Sequence, residues 1–141
     1  METQNATVIT VTTTVNAPVQ KVWDYFSTPE HIVKWNAASD DWHTTKSEND
    51  LRTGGKFSAR MEAKDGSFGF DFGGVYDEVR EHEYFAYTMG DGRKVQVTFE
   101  PHADGTKLVE SFEAENTNPV EMQRGGWQAI LDNFRKYTES N

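Results

Sequence analysis

The segment that most constrains the fold is an amphipathic stretch at the end of the chain, over residues 118–137. Pro119 suits the first position of a helix, with Asn118 as its N-cap and Glu121 placed to complete a capping box. We therefore predict a helix over residues 119–137. Its apolar stripe, at helical spacing, consists of Trp127, Ile130, Leu131 and Phe134. The other face, Gln123 included, is polar, so the stripe requires an apolar layer to cover.

Two glycines, Gly125 and Gly126, lie inside this predicted helix. Each costs about 1 kcal/mol relative to alanine in a helix interior. Such a pair indicates either the close approach of another element or room left for a ligand.

The chain begins with a strand and two short helices. Residues 7–15 alternate apolar β-branched residues with threonine, as in a strand with one buried face. Pro18 then starts a helix whose apolar residues run to Phe26. Thr28 caps a second helix that ends near Trp35.

Residues 42–114 alternate in short segments separated by turn signals. Trp42 and His43 stand where a strand could begin, and Gly73-Gly74 indicates a bulge or a tight bend. The clearer strands cover residues 56–63, 68–79, 84–89, 95–99 and 108–114. Strands in hairpin succession followed by a long helix are typical of the α+β class.

Length and charge limit the classes of function. A chain of 141 residues favours one domain over residues 1–141 with a sizeable core. The formal net charge of -9 argues against nucleic acid or an anionic membrane as partner. There is no cysteine, no apolar run of membrane-spanning length and no signal core in residues 1–6. We expect a cytoplasmic protein, either a monomer or a weak homodimer.

Several motifs resemble those of one known family, the homologues of the activator of the heat-shock-protein-90 ATPase. They are NAPVQKVW at 16–23, PEHIVKW at 29–35, GGKF at 54–57, DG at 65–66, GVYDEV at 74–79, VTFE at 97–100 and GW at 126–127. They stand in the family's order and cover most of the chain.

The resemblance implies the START-like (SRPBCC) helix-grip fold of the birch-pollen allergen. In that fold a curved antiparallel sheet of about six to seven strands grips the C-terminal helix, and two short helices follow the first strand. A cavity often lies between sheet and helix. The superfamily includes lipid carriers, polyketide cyclases and aromatases, hormone receptors and co-chaperone domains. A small hydrophobic ligand and a chaperone are therefore the candidate partners.

Aromatic residues make up 13% of the chain, and they supply most of the candidate ligand-binding residues. Ligand pockets are lined mainly by apolar and aromatic side chains with a few polar groups. An ordinary packed core would use many of the same residues, so both interpretations stay open. The candidates are Trp35, Trp42, Phe57, Met61, Phe70, Phe72, Tyr76, Tyr87, Phe99, Glu110, Trp127 and Leu131.

Among the ionisable residues, Glu110 is the strongest candidate for a functional role. If Leu108 and Phe112 face inward, strand alternation places Glu110 inward between them. A shift of one residue would instead turn Glu110 to solvent. A carboxyl in an apolar cavity has a raised pKa and can serve as an acid, a base or a ligand anchor.

The remaining polar residues carry weaker signals. Arg60 and Glu62 alternate with apolar neighbours and belong to a solvated face. Four histidines lack the spacing of zinc ligands and are expected at the surface: His31, His43, His82 and His102. Asp40-Asp41 suits a polar loop as well as a cation. No dinucleotide, P-loop or serine-hydrolase motif occurs, so we expect no metal and no cofactor.

Three functions remain, from three different classes. The leading hypothesis is a binder of a small apolar or aromatic molecule between the C-terminal helix and the sheet. The first alternative is a cyclase- or dehydratase-type enzyme, with Glu110, Tyr76 and Tyr87 as candidate catalytic residues. The second alternative is a module that contacts a chaperone.

Overall fold

Seven strands and three helices account for most of residues 7–141, the part of the chain that the computed structural model describes. The expectation for residues 1–6, that they carry no signal core, lies outside this part. The order is β1 (Val8–Val15), α1 (Val19–Ser27), α2 (Pro29–Trp35), β2 (Trp42–Asn49), β3 (Lys56–Ala63), β4 (Gly69–Arg80), β5 (Tyr84–Met89), β6 (Lys94–His102), β7 (Gly105–Glu113) and α3 (Val120–Ser140). Within residues 7–141 no helix is long and apolar enough to cross a membrane.

The strands form one curled antiparallel sheet in the order β1-β7-β6-β5-β4-β3-β2. Strands β2 to β7 pair with their chain neighbours, which is the hairpin succession that the turn signals predict. β1 pairs with β7, so α1 and α2 carry the chain from one edge of the sheet to the other. This is the α+β helix-grip arrangement that the sequence predicts.

The core lies between the sheet and the three helices. Every second residue of β7 is buried from Thr106 to Phe112, with Leu108 and Glu110 between them. Ala59 and Met61 of β3 are buried, while Arg60 lies on the opposite face, as predicted. Arg60 Nε donates to the Glu62 carboxylate over 3.0 Å on that face.

Polar side chains fasten α3 to the edge of the sheet. Arg124 Nη1 donates to the carbonyl of Thr10 over 3.2 Å, and Gln128 Nε2 donates to the carbonyl of Thr12 over 2.9 Å. Both carbonyls belong to β1, the edge strand, whose outer backbone groups have no further strand to bond. The helix therefore covers an open edge while its apolar stripe faces inward.

The predicted start of α3 is wrong in its details. Pro119 is itself the N-cap, the helix begins at Val120, and no side chain caps it. Asn118 instead donates from Nδ2 to Glu115 Oε2 over 3.1 Å, within the preceding loop. The capping box does not form because Pro119, which occupies the N-cap, has no side-chain oxygen to accept a bond from the first turn.

The predicted bulge at Gly73-Gly74 is also wrong. The register shift between β4 and β5 falls between Tyr76 and Glu78. A Cβ on Gly73 would lie 2.5 Å from the carbonyl oxygen of Phe57, and one on Gly74 would lie 2.5 Å from that of Thr88. The glycines therefore allow the close approach of neighbouring backbones on either side of a continuous strand.

Of the four histidines only His102 is exposed, whereas His31, His43 and His82 are half-buried. His31 is half-buried, and its ring stacks on Tyr25 with centroids 3.9 Å apart. Its Nδ1 lies 2.7 Å from the Tyr137 hydroxyl. These contacts join α1 and α2 to the end of α3, so His31 serves packing between the helices.

Candidate ligand-binding site

A cavity of about 530 Å³ lies between the sheet and α3. Its lining comes from all three helices and from β2, β3, β4, β5 and β7. Small-molecule sites typically measure about 300–1,000 Å³, so this volume suits one small ligand.

Aromatic rings form much of the cavity wall. Trp127 stacks on Phe112 with ring centroids 3.9 Å apart and planes 11° apart. Phe72 meets Trp127 edge to face at 6.3 Å, and Phe57 meets Tyr87 edge to face at 4.7 Å. These contacts fix the rings in place, yet Trp127, Phe72 and Phe57 remain only half-buried.

Two lining residues mark where the cavity opens to solvent. Phe70 at the start of β4 is 41% exposed, and Met122 in the first turn of α3 is 63% exposed. Trp42 stands beside Phe70, with ring centroids 5.9 Å apart. The mouth therefore lies between the first turn of α3 and the start of β4.

Glu110 faces into the cavity from β7 and is 8% exposed. Its backbone neighbours across the sheet are Val11 on β1 and Val97 on β6, both apolar. Within residues 7–141 its carboxyl makes no side-chain hydrogen bond and no ion pair. Burial raises the pKa of Glu110 to about 8, so at neutral pH the group is mainly protonated. Of the two registers that the sequence left open, the structure has the one that turns Glu110 inward together with Leu108 and Phe112.

Two tyrosines share the cavity with Glu110. The Tyr76 hydroxyl donates to Asn49 Oδ1 over 2.7 Å, and burial raises the pKa of Tyr76. Burial also raises the pKa of Tyr87, and the nearby Glu110 and Tyr76 raise it further, whereas Arg93 lowers it. The acidic groups of Tyr87 and Glu110 are therefore close enough to influence one another.

Gln123 is a cavity residue that sequence analysis missed. It was expected on the polar face of α3, but it is buried. Its Oε1 accepts from the Glu115 backbone over 2.9 Å, and its Nε2 donates to the Asn118 carbonyl over 2.8 Å. The signal that could have found it is spacing, because Gln123 precedes Trp127 and Leu131 at intervals of four on one helix face.

Arg93 and Asn49 are further lining residues that the pattern did not single out. Arg93 follows the β5–β6 turn, where Nε donates to Asp91 Oδ2 over 2.8 Å. Asn49 ends β2, and its Nδ2 donates to the Ser27 carbonyl over 2.6 Å. Neither was singled out by the pattern, because the bond of Asn49 to Ser27 and the contact of Arg93 with the Glu113 carbonyl join residues that are distant along the chain.

All but one of the predicted ligand-binding residues line the cavity. The exception is Phe99, which faces inward but is covered by α1. Its ring lies 4.9 Å from that of Trp23 and 5.7 Å from that of Phe26. Phe99 is therefore a core residue, and for the others contact with a ligand stays a prediction.

The glycine pair of α3 lies over open space. A Cβ built on Gly125 or on Gly126 would meet no atom within 4 Å, and Gly126 lines the cavity. The close approach of another element is thus wrong as an explanation. The remaining explanation is that the glycines leave room for a ligand beside the helix.

Metal-binding side chains do not gather anywhere in the described part of the chain. Among residues 7–141 no three His, Cys, Asp or Glu side chains are placed to hold one ion. Asp40, Asp41 and His43 therefore form no such group. What the cavity can do chemically rests on its aromatic walls and its few polar groups.

Comparison with known proteins agrees with this architecture. The family model described as Activator of Hsp90 ATPase homolog 1-like protein matches residues 16–139. No curated protein matches the chain.

Solved structures with the same fold come from several bacteria. An AHSA1-like protein of Aeromonas hydrophila is 42% identical, with 95% of this chain and 93% of that one covered and a TM-score of 0.90. A protein of Cytophaga hutchinsonii is 51% identical, with 98% and 94% covered and a TM-score of 0.79. One from Chromobacterium violaceum is 25% identical, with 95% and 98% covered and a TM-score of 0.85. The chain therefore belongs to the Activator of Hsp90 ATPase homolog 1-like family.

Proposed function

We propose that this protein binds one small, mainly apolar or aromatic molecule in the cavity between α3 and the sheet. The observation that carries the proposal is the cavity itself, about 530 Å³ in volume and walled by aromatic rings. A few polar groups, Glu110 foremost, stand among these rings. That combination is typical of sites that bind a ligand by apolar contact and orient it by one or two polar contacts.

The half-buried rings favour a ligand site over an ordinary core. Native cores are packed at the density of organic crystals, with few voids larger than a water molecule. Here Trp127, Phe72 and Phe57 face the space between helix and sheet without filling it. A bound molecule would cover their open surfaces and gain about 0.8 kcal/mol for each buried methylene group.

The glycine pair provides a matched test of the proposal. Gly126→Leu should fill cavity space, whereas Gly125→Leu adds the same side chain one position away, where the helix is exposed. Both changes remove a helical glycine and should keep the fold. Nile red, a neutral probe whose emission reports an apolar site, should bind the wild type and Gly125→Leu but not Gly126→Leu. Equal binding by all three proteins would place the dye elsewhere and contradict the proposal.

A second experiment is designed to detect the natural ligand. Native mass spectrometry of protein purified from its own host should show a bound small molecule. The Gly126→Leu variant purified in the same way should lack that added mass. Retention of the molecule by Gly126→Leu would assign it to a different site.

Proton-transfer catalysis is the second candidate, favoured by the pKa of about 8 at Glu110. A general acid or base works best with a pKa near the working pH. Tyr87 is the better proton donor of the two tyrosines, since the Tyr76 hydroxyl already donates to Asn49. Once the ligand is known, Glu110→Gln should abolish turnover and preserve binding if the protein is an enzyme. Unchanged turnover would exclude this role for Glu110.

Contact with a chaperone is the third candidate, and its support is the family's description. Exposed apolar side chains such as Phe68 would serve such a contact. We rank it below ligand binding because Phe70 and Met122, also exposed, line the cavity mouth. Their exposure is accounted for by ligand entry.

A further inference from the structure

Glu110 differs from the other charged residues of the cavity in having no partner. Arg93 bonds Asp91, Glu48 pairs with Lys46 over 3.1 Å, and Glu115 accepts two backbone N–H groups of the loop before α3. Glu110 is buried, faces the cavity and makes no such contact within residues 7–141. The carboxyl of Glu110 thus faces the cavity without a protein partner in that part of the chain, so a ligand that supplies a partner there gains free energy on binding.

The charges of the lining favour a cation as that partner. The acidic lining residues are Glu48, Glu110 and Glu115, and the basic one is Arg93. The Arg93 guanidinium is already engaged by Asp91 and lies 3.4 Å from the carbonyl of Glu113. An anionic ligand would therefore meet carboxyl groups without a free cation to bind.

The aromatic walls of the cavity also favour a cationic ligand. The face of an aromatic ring is negative, so it attracts a nearby cation, most strongly when water is excluded. Trp127, Phe72 and Tyr87 line the same cavity as Glu110. An aromatic enclosure with one carboxyl suits an ammonium group attached to an apolar body.

We propose that the ligand is an apolar or aromatic amine whose ammonium group pairs with the Glu110 carboxylate while its body lies against the ring of Trp127. This inference rests on the proposed ligand-binding function and narrows it to a chemical class. It predicts that the cavity binds such amines more tightly than neutral alcohols and ketones, and more tightly than fatty acids and other carboxylates.

Pairing of the ligand's ammonium group with the Glu110 carboxylate should release a proton. Glu110 is mainly protonated in the free protein at pH 7, since its pKa is about 8. The ammonium keeps its own proton, so the carboxyl must release its proton to the buffer. With a pKa in that range, more than half of a proton per bound amine should leave at pH 7. Tyr76 and Tyr87, whose pKa values are raised by burial, stay neutral at this pH, and Glu115, whose pKa is lowered by hydrogen bonds from Asn118, stays ionised. Glu48 and Arg93 are the other ionisable lining residues.

Three probes that share an indole ring test the proposal: tryptamine, tryptophol and indole-3-propionic acid. Isothermal titration at pH 7 gives each affinity, and repetition in buffers of different ionisation enthalpy gives the protons released. Tryptamine should bind about tenfold or more tightly than tryptophol, because hydrogen bonds to charged groups are the stronger ones. The acid should bind most weakly. Proton release should accompany tryptamine and not tryptophol.

Glu110→Gln should remove the preference for tryptamine and leave tryptophol binding within about twofold, since the amide keeps the shape of the side chain. Glu81→Gln is the matched control, the same substitution at an exposed carboxylate outside the cavity lining, and it should keep the preference. Equal affinities of amine and alcohol in the wild type would overturn the inference and leave the proposed function intact. Retention of the preference in Glu110→Gln, or tryptamine binding without proton release, would also overturn it. Failure of all three probes to bind would count against both proposals.

Discussion

The two halves of α3 differ in how far apolar packing holds them to the rest of the fold. In the C-terminal half, Phe134 is fully buried and meets Phe26 at 4.9 Å and Trp35 at 5.0 Å, both edge to face. In the N-terminal half, Gly126 and the half-buried Trp127 face inward beside open space. One apolar stripe thus packs a core at one end and lines a cavity at the other.

Hydrogen bonds hold the half of the helix that lies over the cavity. Gln123 bonds the loop before the helix, and Arg124 and Gln128 bond the edge of β1. Because polar bonds fix this half, apolar packing need not fill the space beneath it. The comparison teaches how a helix can remain in place above a cavity that is free to take a ligand.

The largest expected effect is at the packed end. Phe134→Ala should lower the free energy of unfolding by about 3–5 kcal/mol, the range for a buried phenylalanine. Ile130→Ala, at a half-buried lining position, should cost less than half as much. Urea denaturation of both variants measures the difference. Similar losses would show that the two halves of the helix are packed alike.

The next effect concerns the pH dependence that Glu110 imposes. The folded pKa of about 8 lies above the ordinary value of 4.5, so the folded state binds more protons than the unfolded state between these values. Stability should therefore fall as pH rises from 5 to 8, by on the order of 3 kcal/mol. Glu110→Gln should lack this part of the slope and be more stable than the wild type at pH 8. Parallel curves for the two proteins would mean that Glu110 titrates normally.

A smaller effect is expected where hydrogen bonds hold the helix. Gln123→Ala removes the bonds between the first turn of α3 and the preceding loop, which should cost about 1–3 kcal/mol. Hydrogen exchange should accelerate in the first turns of α3 and stay unchanged around Phe134. Uniform acceleration along the helix would contradict separate anchoring of its two halves.

Much of the fold could be predicted from local patterns. β3 and β5 begin and end where alternation and turn residues predict, and alternation along β7 ties the side on which Glu110 lies to that of Leu108 and Phe112. These features are repeated along one element, so the sequence carries them directly. The family resemblance supplied the arrangement of these elements, a curved sheet around the C-terminal helix.

What could not be predicted depends on contacts between distant segments. Gln123 is buried because a loop turns back onto the helix, and Phe99 is covered because Trp23 of α1 lies over it. Gly73 and Gly74 permit close backbones instead of a bulge, which depends on the neighbouring strands. In each case the residue type fits two environments, and only tertiary packing decides between them.

The central claim is that the cavity beneath the N-terminal half of α3 is a ligand site. Amide chemical-shift mapping during titration with a neutral aromatic probe, tryptophol, tests it most directly. The account predicts saturable shifts at Phe72, Tyr87, Gly126 and Trp127, and little change at Phe134. No shift up to the solubility limit of the probe, or shifts centred on the Phe134 end, would contradict it.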